Sequence, residues 1–190
     1  MNITSRAAAL ALISASGCIA ASAQQVSIGT DLLKTASGTL NLDADIAVQK
    51  NLKFTSEVTY NPWNRPIGQN KSRSMTLGIR YNPIPDKRPG VWIESGLSAT
   101  EFSRSPHRIS NRLEEGTSAA AYGGFGYSFN LPYGFRLDAG AFMWGGIRRV
   151  ETYSCRVCGE MTSKKTQAFI LPKEIRLTVS RPIFSRHSNE

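Results

Sequence analysis

From Gln25 onward the chain alternates apolar and polar residues with period two, segment after segment. Successive side chains of a strand point to opposite faces, whereas one helix face repeats every 3.6 residues. In "LNLDADIAVQ" Leu40, Leu42, Ala44, Ile46 and Val48 alternate with Asn41, Asp43, Asp45 and Gln49. "LKFTSEVTY" sets Leu52, Phe54, Val58 and Tyr60 against Lys53, Thr55, Glu57 and Thr59. The same pattern recurs in "MTLGIRY", "VWIESGLSAT", "AAAYGGFGYSF", "FRLDAGAFM" and "EIRLTVS", and more weakly in "VSIGTDLL". Helical spacing fits none of them, so the expected class is all-β with eight strands.

The connections between segments carry the topology. After the first, the odd-numbered ones ("PWNRPIGQNKSR", "SRSPHRISNRLEEG" and the stretch around Cys155) are long, and the even-numbered ones are short or stiffened by Pro and Gly. Long loops leaving on one side and turns on the other are the pattern of an outer-membrane barrel. The expected architecture is an eight-stranded antiparallel up-and-down transmembrane β-barrel.

Alternation does not say which face looks outward: a soluble ligand-binding barrel would bury the apolar one, a membrane barrel would show it to lipid. Three features favour lipid. Aromatics gather near segment ends: Tyr60, Trp63, Phe102, Tyr153 and Phe169 toward one rim, Tyr81, Trp92, Phe129, Tyr133, Phe135 and Phe184 toward the other. The polar face mixes signs, with Lys53, Arg80, Arg136 and Arg176 against Asp43, Asp45, Glu57, Glu94, Asp138 and Glu174. Such groups can pair in a narrow lumen, where an unpaired charge is costly. Glycines at 78, 96, 124, 126 and 140 lie on that face and are expected to make room for the long charged side chains.

The N-terminus reads as an export signal: Arg6, an apolar run from Ala7 to Ile13, and Ala21-Ser22-Ala23 before a cleavage site. The apolar run falls short of the roughly 20 residues a membrane helix needs. Gly17-Cys18 raises a lipidated N-terminus as the alternative. Residues 1–23 are thus expected to be a signal peptide, 24–184 the barrel, and 185–190 a polar tail after Phe184, which resembles a terminal assembly aromatic. The formal charge of +9 loses only Arg6 with the signal. An exported chain has no nucleic acid to meet despite a pI near 9.8.

"TYSCRVCGE" holds Cys155 and Cys158, two residues apart and followed by Gly159. A zinc knuckle needs a second ligand pair, and the chain offers only His107 and His187, expected on opposite sides of the membrane. Thiol exchange needs a cysteine at a helix N-terminus beside a βαβ unit, and no such pattern occurs. The reading left is a disulfide pinning the last external loop. No cofactor is expected.

With these residues in view, the chain resembles a family of small Bacteroidetes outer-membrane β-barrels of unknown function. The resemblance rests on Thr30-Asp31-Leu32-Leu33, on Asn61-Pro62-Trp63 after the third strand, and on Cys155, Cys158 and Gly159. It implies an outer-membrane location and an eight-stranded barrel, and it carries over no catalytic residue.

The loops give one physical lead toward function. Arg65, Lys71, Arg73, Arg104, Arg108, Arg112, Arg148, Arg149, Arg156, Lys164 and Lys165 face five acids there (Glu101, Glu114, Glu115, Glu151 and Glu160), a surplus of six. A basic external rim suits anionic outer-leaflet lipid. An enzyme acting on that lipid is the alternative, with Ser103, Ser105, His107, Ser110 and Glu114 or Glu115 in one loop, though nucleophilic catalysis demands tighter positioning than a Pro-containing loop supplies. The leading expectation is a non-enzymatic surface barrel, structural, adhesive or partnering other surface proteins through its loops; a soluble periplasmic ligand-binding barrel is the remaining alternative.

Overall fold

A computed structural model describes residues 25–65, 68–84, 90–105, 112–154 and 160–185. Its long strands are β1 (Gln25–Asp31), β2 (Leu40–Ala47), β3 (Leu52–Asn61), β4 (Gly68–Tyr81), β5 (Gly90–Arg104), β6 (Leu113–Asn130), β7 (Arg136–Tyr153) and β8 (Met161–Ser185). One five-residue helix, α1 (Leu32–Ala36), interrupts the β1–β2 connection, and Asn64–Arg65 forms a two-residue strand against Gly68 and Gln69. The chain is therefore all-β, with eight antiparallel strands in one sheet. Each strand pairs with its neighbours in sequence, and β1 also pairs with β8. Among the described residues the sheet therefore returns on itself, and each of the eight long strands has a partner on both sides.

Polarity sorts the two faces in the reverse of a water-soluble core. The enclosed face buries Asp43, Lys53, Glu57, Arg80, Glu94, Asp138 and Arg176, while Leu97, Phe125, Ile170 and Ile175 are 66–79% exposed on the other. Side chains of non-neighbouring strands meet on the enclosed face: Arg80 of β4 reaches Asp138 of β7, and Arg176 of β8 reaches Glu57 of β3. Two or more strands lie between the partners in each case.

The strands run further than the alternation suggests. β4 through β8 continue through Lys71, Arg73, Arg104, Arg148, Arg149, Lys164 and Lys165, so these belong to strands and not to loops. Ser185, expected in the polar tail, is the last residue of β8. A register shift between Phe142 and Met143 skips Lys173, setting Glu174 opposite Phe142 and Pro172 opposite Met143. The extra residue in β8 is a bulge that exchanges which parity faces inward, and it accommodates the proline.

The aromatic belts need correction. Trp92 is 1% exposed and packs inside with Tyr122 and Phe142. Phe169 stacks edge-on against Trp144, with centroids 5.0 Å apart, and Phe102 shares the inward parity of Trp92 and Glu94 on β5. Tyr60, Trp63, Tyr81, Tyr127, Phe129, Tyr133, Phe135 and Phe184 are exposed. The glycines on the enclosed face make room for rings more than for charges. A Cβ on Gly126 would stand 2.2 Å from Trp92, one on Gly124 2.4 Å from Phe142, and one on Gly78 2.1 Å from the Tyr122 hydroxyl.

Candidate functional site

All ten charges picked out from the alternation lie on the enclosed face, eight of them in two linked clusters. In the first, Arg80 donates to Glu94 at 2.8 Å and to Asp138 at 2.7 Å and lies 3.7 Å from Asp45. Arg136 bridges Asp138 and Asp45, and Ser128 donates to Asp138 at 2.6 Å. In the second, Arg176 donates to Glu57 at 2.9 Å and to Glu174 at 2.7 Å. Its other terminal nitrogen reaches Glu94 at 3.3 Å and so joins the clusters. Tyr122 donates to Glu94 at 2.9 Å. Asp43 and Lys53 are buried on the same face.

Three participants escape period-two reasoning. Asp31 is fully buried at the end of β1 and caps α1, accepting from the Leu33 and Lys34 amides. That cap aims Lys34 into the enclosed space, where it pairs with Glu57 and, at 2.7 Å, with Glu174. Lys173, displaced by the bulge, donates to Glu174 at 2.6 Å. With them the described residues of the interior set six cations against seven carboxylates, so nearly every desolvated charge among them has an opposite within reach. Burial pushes the Lys34 ammonium down, and Glu57 and Glu174 more than reverse this, leaving its pKa above the ordinary lysine value.

Rings and guanidinium groups fill what remains. Arg80 lies 4.3 Å over Trp92 and Arg176 4.4 Å over Phe142, both within cation–π range. The enclosed void between the clusters measures about 10 Å³, room for no hydrated ion.

At the end of the sheet where the β3–β4, β5–β6 and β7–β8 connections lie, the basic residues divide by parity. Lys71, Arg73, Arg149 and Lys164 point outward, in rows just beyond the last apolar row. Arg73 donates to Glu101 at 2.6 Å, and Lys164 pairs with Glu151 at 2.6 Å, a contact that holds the Glu151 carboxyl below its ordinary value. A groove of about 530 Å³ runs along this outward belt, with Tyr60, Lys71, Arg73, Glu101 and Arg149 in its walls. Arg104, Arg112, Arg148 and Lys165 instead line a second cavity of about 520 Å³ on the enclosed side. Arg65 lies in the two-residue strand; Arg108 and Arg156 fall outside the described residues.

The motifs fare unevenly. Asn61 accepts from the Trp63 amide at 3.2 Å, and the Trp63 indole donates to the Gly38 carbonyl, tying the β3–β4 connection to the turn after α1. Gly38 has φ +81° there, and a Cβ on it would lie 3.0 Å from the indole nitrogen. Of the candidate catalytic group, Ser103 donates to Glu115 at 3.0 Å and Glu114 accepts from Arg104 at 3.0 Å. His107 and Ser110 lie outside the described residues, as do Cys155, Cys158, Gly159 and His187.

No curated protein and no solved structure matches the chain. Residues 9–180 match a family model described as "Protein of unknown function (DUF3575)", and the chain belongs to that family.

Proposed function

We propose that this protein is a non-catalytic barrel of the outer membrane, closed to ion flow, that acts through the strand extensions and basic residues of its outer end. The observation that carries the reading is the inversion of polarity: apolar side chains exposed, ion clusters buried. A water-soluble barrel has no use for an apolar exterior of this extent, whereas lipid requires one. The outward apolar stretches have matching lengths. They run from Val91 to Ala99 on β5, Ala119 to Phe129 on β6 and Leu137 to Ile147 on β7, close to the roughly 9–11 residues a tilted strand needs to cross a bilayer. Toward their lower ends stand exposed Tyr81, Tyr127 and Phe129, as an interfacial aromatic girdle would. Above them lie Lys71, Arg73 and Arg149, at the height of lipid phosphates and sugar acids. The first and last strands pair with each other, and Gln25 stands opposite Ser185 at the end away from the long connections, as expected for a barrel inserted from the periplasm.

The test is electrophoretic mobility of the membrane-extracted protein, boiled against unboiled, with and without reductant. A compact outer-membrane band that shifts on boiling is expected. A reductant-dependent shift of that band is expected from a Cys155–Cys158 staple. A soluble protein with no heat shift would overturn the membrane reading and leave the periplasmic ligand-binding barrel.

A further inference from the structure

We infer that one water molecule is built into the enclosed face where the sheet closes on itself, bridging Asp43 of β2 to Arg176, Thr178 and Ser180 of β8 past Gly29 of β1. The inference goes beyond the reading above and holds whether lipid or water surrounds the outward face. It starts from the odd member of the ion clusters. Asp43 is 7% exposed, yet among the described residues it enters no ion pair. Glu57, which stands opposite it on β3, takes both Lys34 and Arg176. A buried carboxylate is costly unless something else hydrogen-bonds to it.

Four buried atoms on residues that line the same enclosed void have no hydrogen-bond partner in the protein: Asp43 Oδ2, Thr178 Oγ1, Ser180 Oγ and Arg176 Nε. The terminal nitrogens of Arg176 go to Glu57, Glu94 and Glu174, so Nε is the donor that remains. The register explains why these groups miss one another. Gly29 stands opposite Asp43 on one side and Ser180 on the other, which sets those two residues two strand spacings apart, roughly 9–10 Å. No side chain lies between them, and a Cβ at Gly29 would stand 2.8 Å from that of Ser180. The void of about 10 Å³ is close to what a single water needs. The polar groups around it are also those that one water satisfies. Arg176 Nε and one hydroxyl donate to it, and Asp43 and the other hydroxyl accept from it. A cation suits the place less well, since an N–H offers no lone pair and the guanidinium charge repels it. Through this molecule the seventh carboxylate is joined to Arg176, and β2 is tied to β8 across the seam that β1 closes.

A crystal structure of the full chain, grown from detergent with thallium(I) in place of sodium and potassium, tests this. The expected result is a density peak within about 2.5–3.2 Å of both Asp43 Oδ2 and Arg176 Nε, with no anomalous signal from thallium. An anomalous peak, or a peak that touches the oxygens and not Nε, would assign the place to a cation and overturn the inference. No peak, with Asp43 bonded directly to Ser180, Thr178 or Arg176, would overturn it as well. Each outcome is read on the enclosed face alone. If the chain proves soluble, with no heat shift, crystals grown without detergent decide the inference in the same way.

Discussion

Lys34 supplies what no strand residue does, a cation delivered from a helix at one end of the sheet into the middle of the ion clusters. Its side chain retains 20% exposure while that of Glu57 is 3% exposed, so removing it strands a carboxylate more than it frees a lysine. Lys34→Met should cost about 2–4 kcal/mol in urea unfolding from detergent micelles, toward the low end for buried pairs because of that residual exposure. A folded pKa above the ordinary value means the contribution is intact below that value and is lost as pH rises past it. The difference from wild type should hold steady from about pH 6 to 9 and shrink only above about 10.4. Gly126 makes the complementary case. A Cβ there meets Trp92 at 2.2 Å and the Ala139 carbonyl at 2.3 Å, so Gly126→Ala should destabilise by about 1–3 kcal/mol. Gly123, whose Cβ would meet nothing nearer than 3.9 Å, should accept alanine within about 0.5 kcal/mol. Equal costs at the two positions would refute the packing account. Asp45, Glu57, Arg80 and Arg176 were legible as a set because each sits on the polar beat of an alternating run. Trp92 was not, since an aromatic near a strand end looks the same whether it faces lipid or a pair of glycines. Lys34 was not, since its direction depends on the Asp31 cap.

A tryptophan clip ties together the elements at the end of the sheet that carries α1. Trp63 reaches back to the turn after α1 and donates to Gly38, and α1 in turn positions Lys34. Loosening this clip should expose the helix without unfolding the sheet. Trp63→Phe keeps the ring and loses the donor; Gly38→Ala puts a side chain against the indole at a φ of +81°. In either variant trypsin should cut after Lys34 several times faster than in wild type, read by mass spectrometry of that bond, while the boiled-against-unboiled shift persists. An unchanged rate would mean the clip does not hold α1. Strand existence was legible here and strand ends were not. Alternation is a signal only where one face is apolar, and above the Met75–Ala99–Ala119–Ile147 row Arg73, Glu101, Thr117 and Arg149 continue the outward face while Thr100 and Ser118 continue the inward one. The continuation of β5 through Glu101, Ser103 and Arg104 therefore looks like loop sequence although it is paired throughout. In β8 the bulge at Lys173 breaks the beat outright, so the segment before Glu174 carries no readable period.

At the scale of the whole molecule, the surroundings decide what the exposed apolar face is worth. With the interior filled and an enclosed void of only about 10 Å³, the intact chain in a planar bilayer should add no conductance steps; steady single-channel steps would require the Arg80 and Arg176 clusters to part. The sharper prediction concerns the exterior, because water and lipid give it opposite consequences. Leu97 sits near the centre of the outward apolar stretch on β5 and is 69% exposed. If water surrounds it, Leu97→Arg replaces an exposed leucine with an exposed arginine and changes stability by less than about 0.5 kcal/mol. If lipid surrounds it, the guanidinium stands near the bilayer midplane and the same change costs about 2–4 kcal/mol. Thr117→Arg lies on the outward face of β6 in the Arg73–Glu101–Arg149 row, beyond the last apolar row, where an arginine costs about 0–1 kcal/mol in lipid. Unfolding both variants from lipid vesicles compares the two positions directly. A large penalty at Leu97 with little at Thr117 puts the membrane boundary between the two rows. Matched small effects would mean that the exterior meets water.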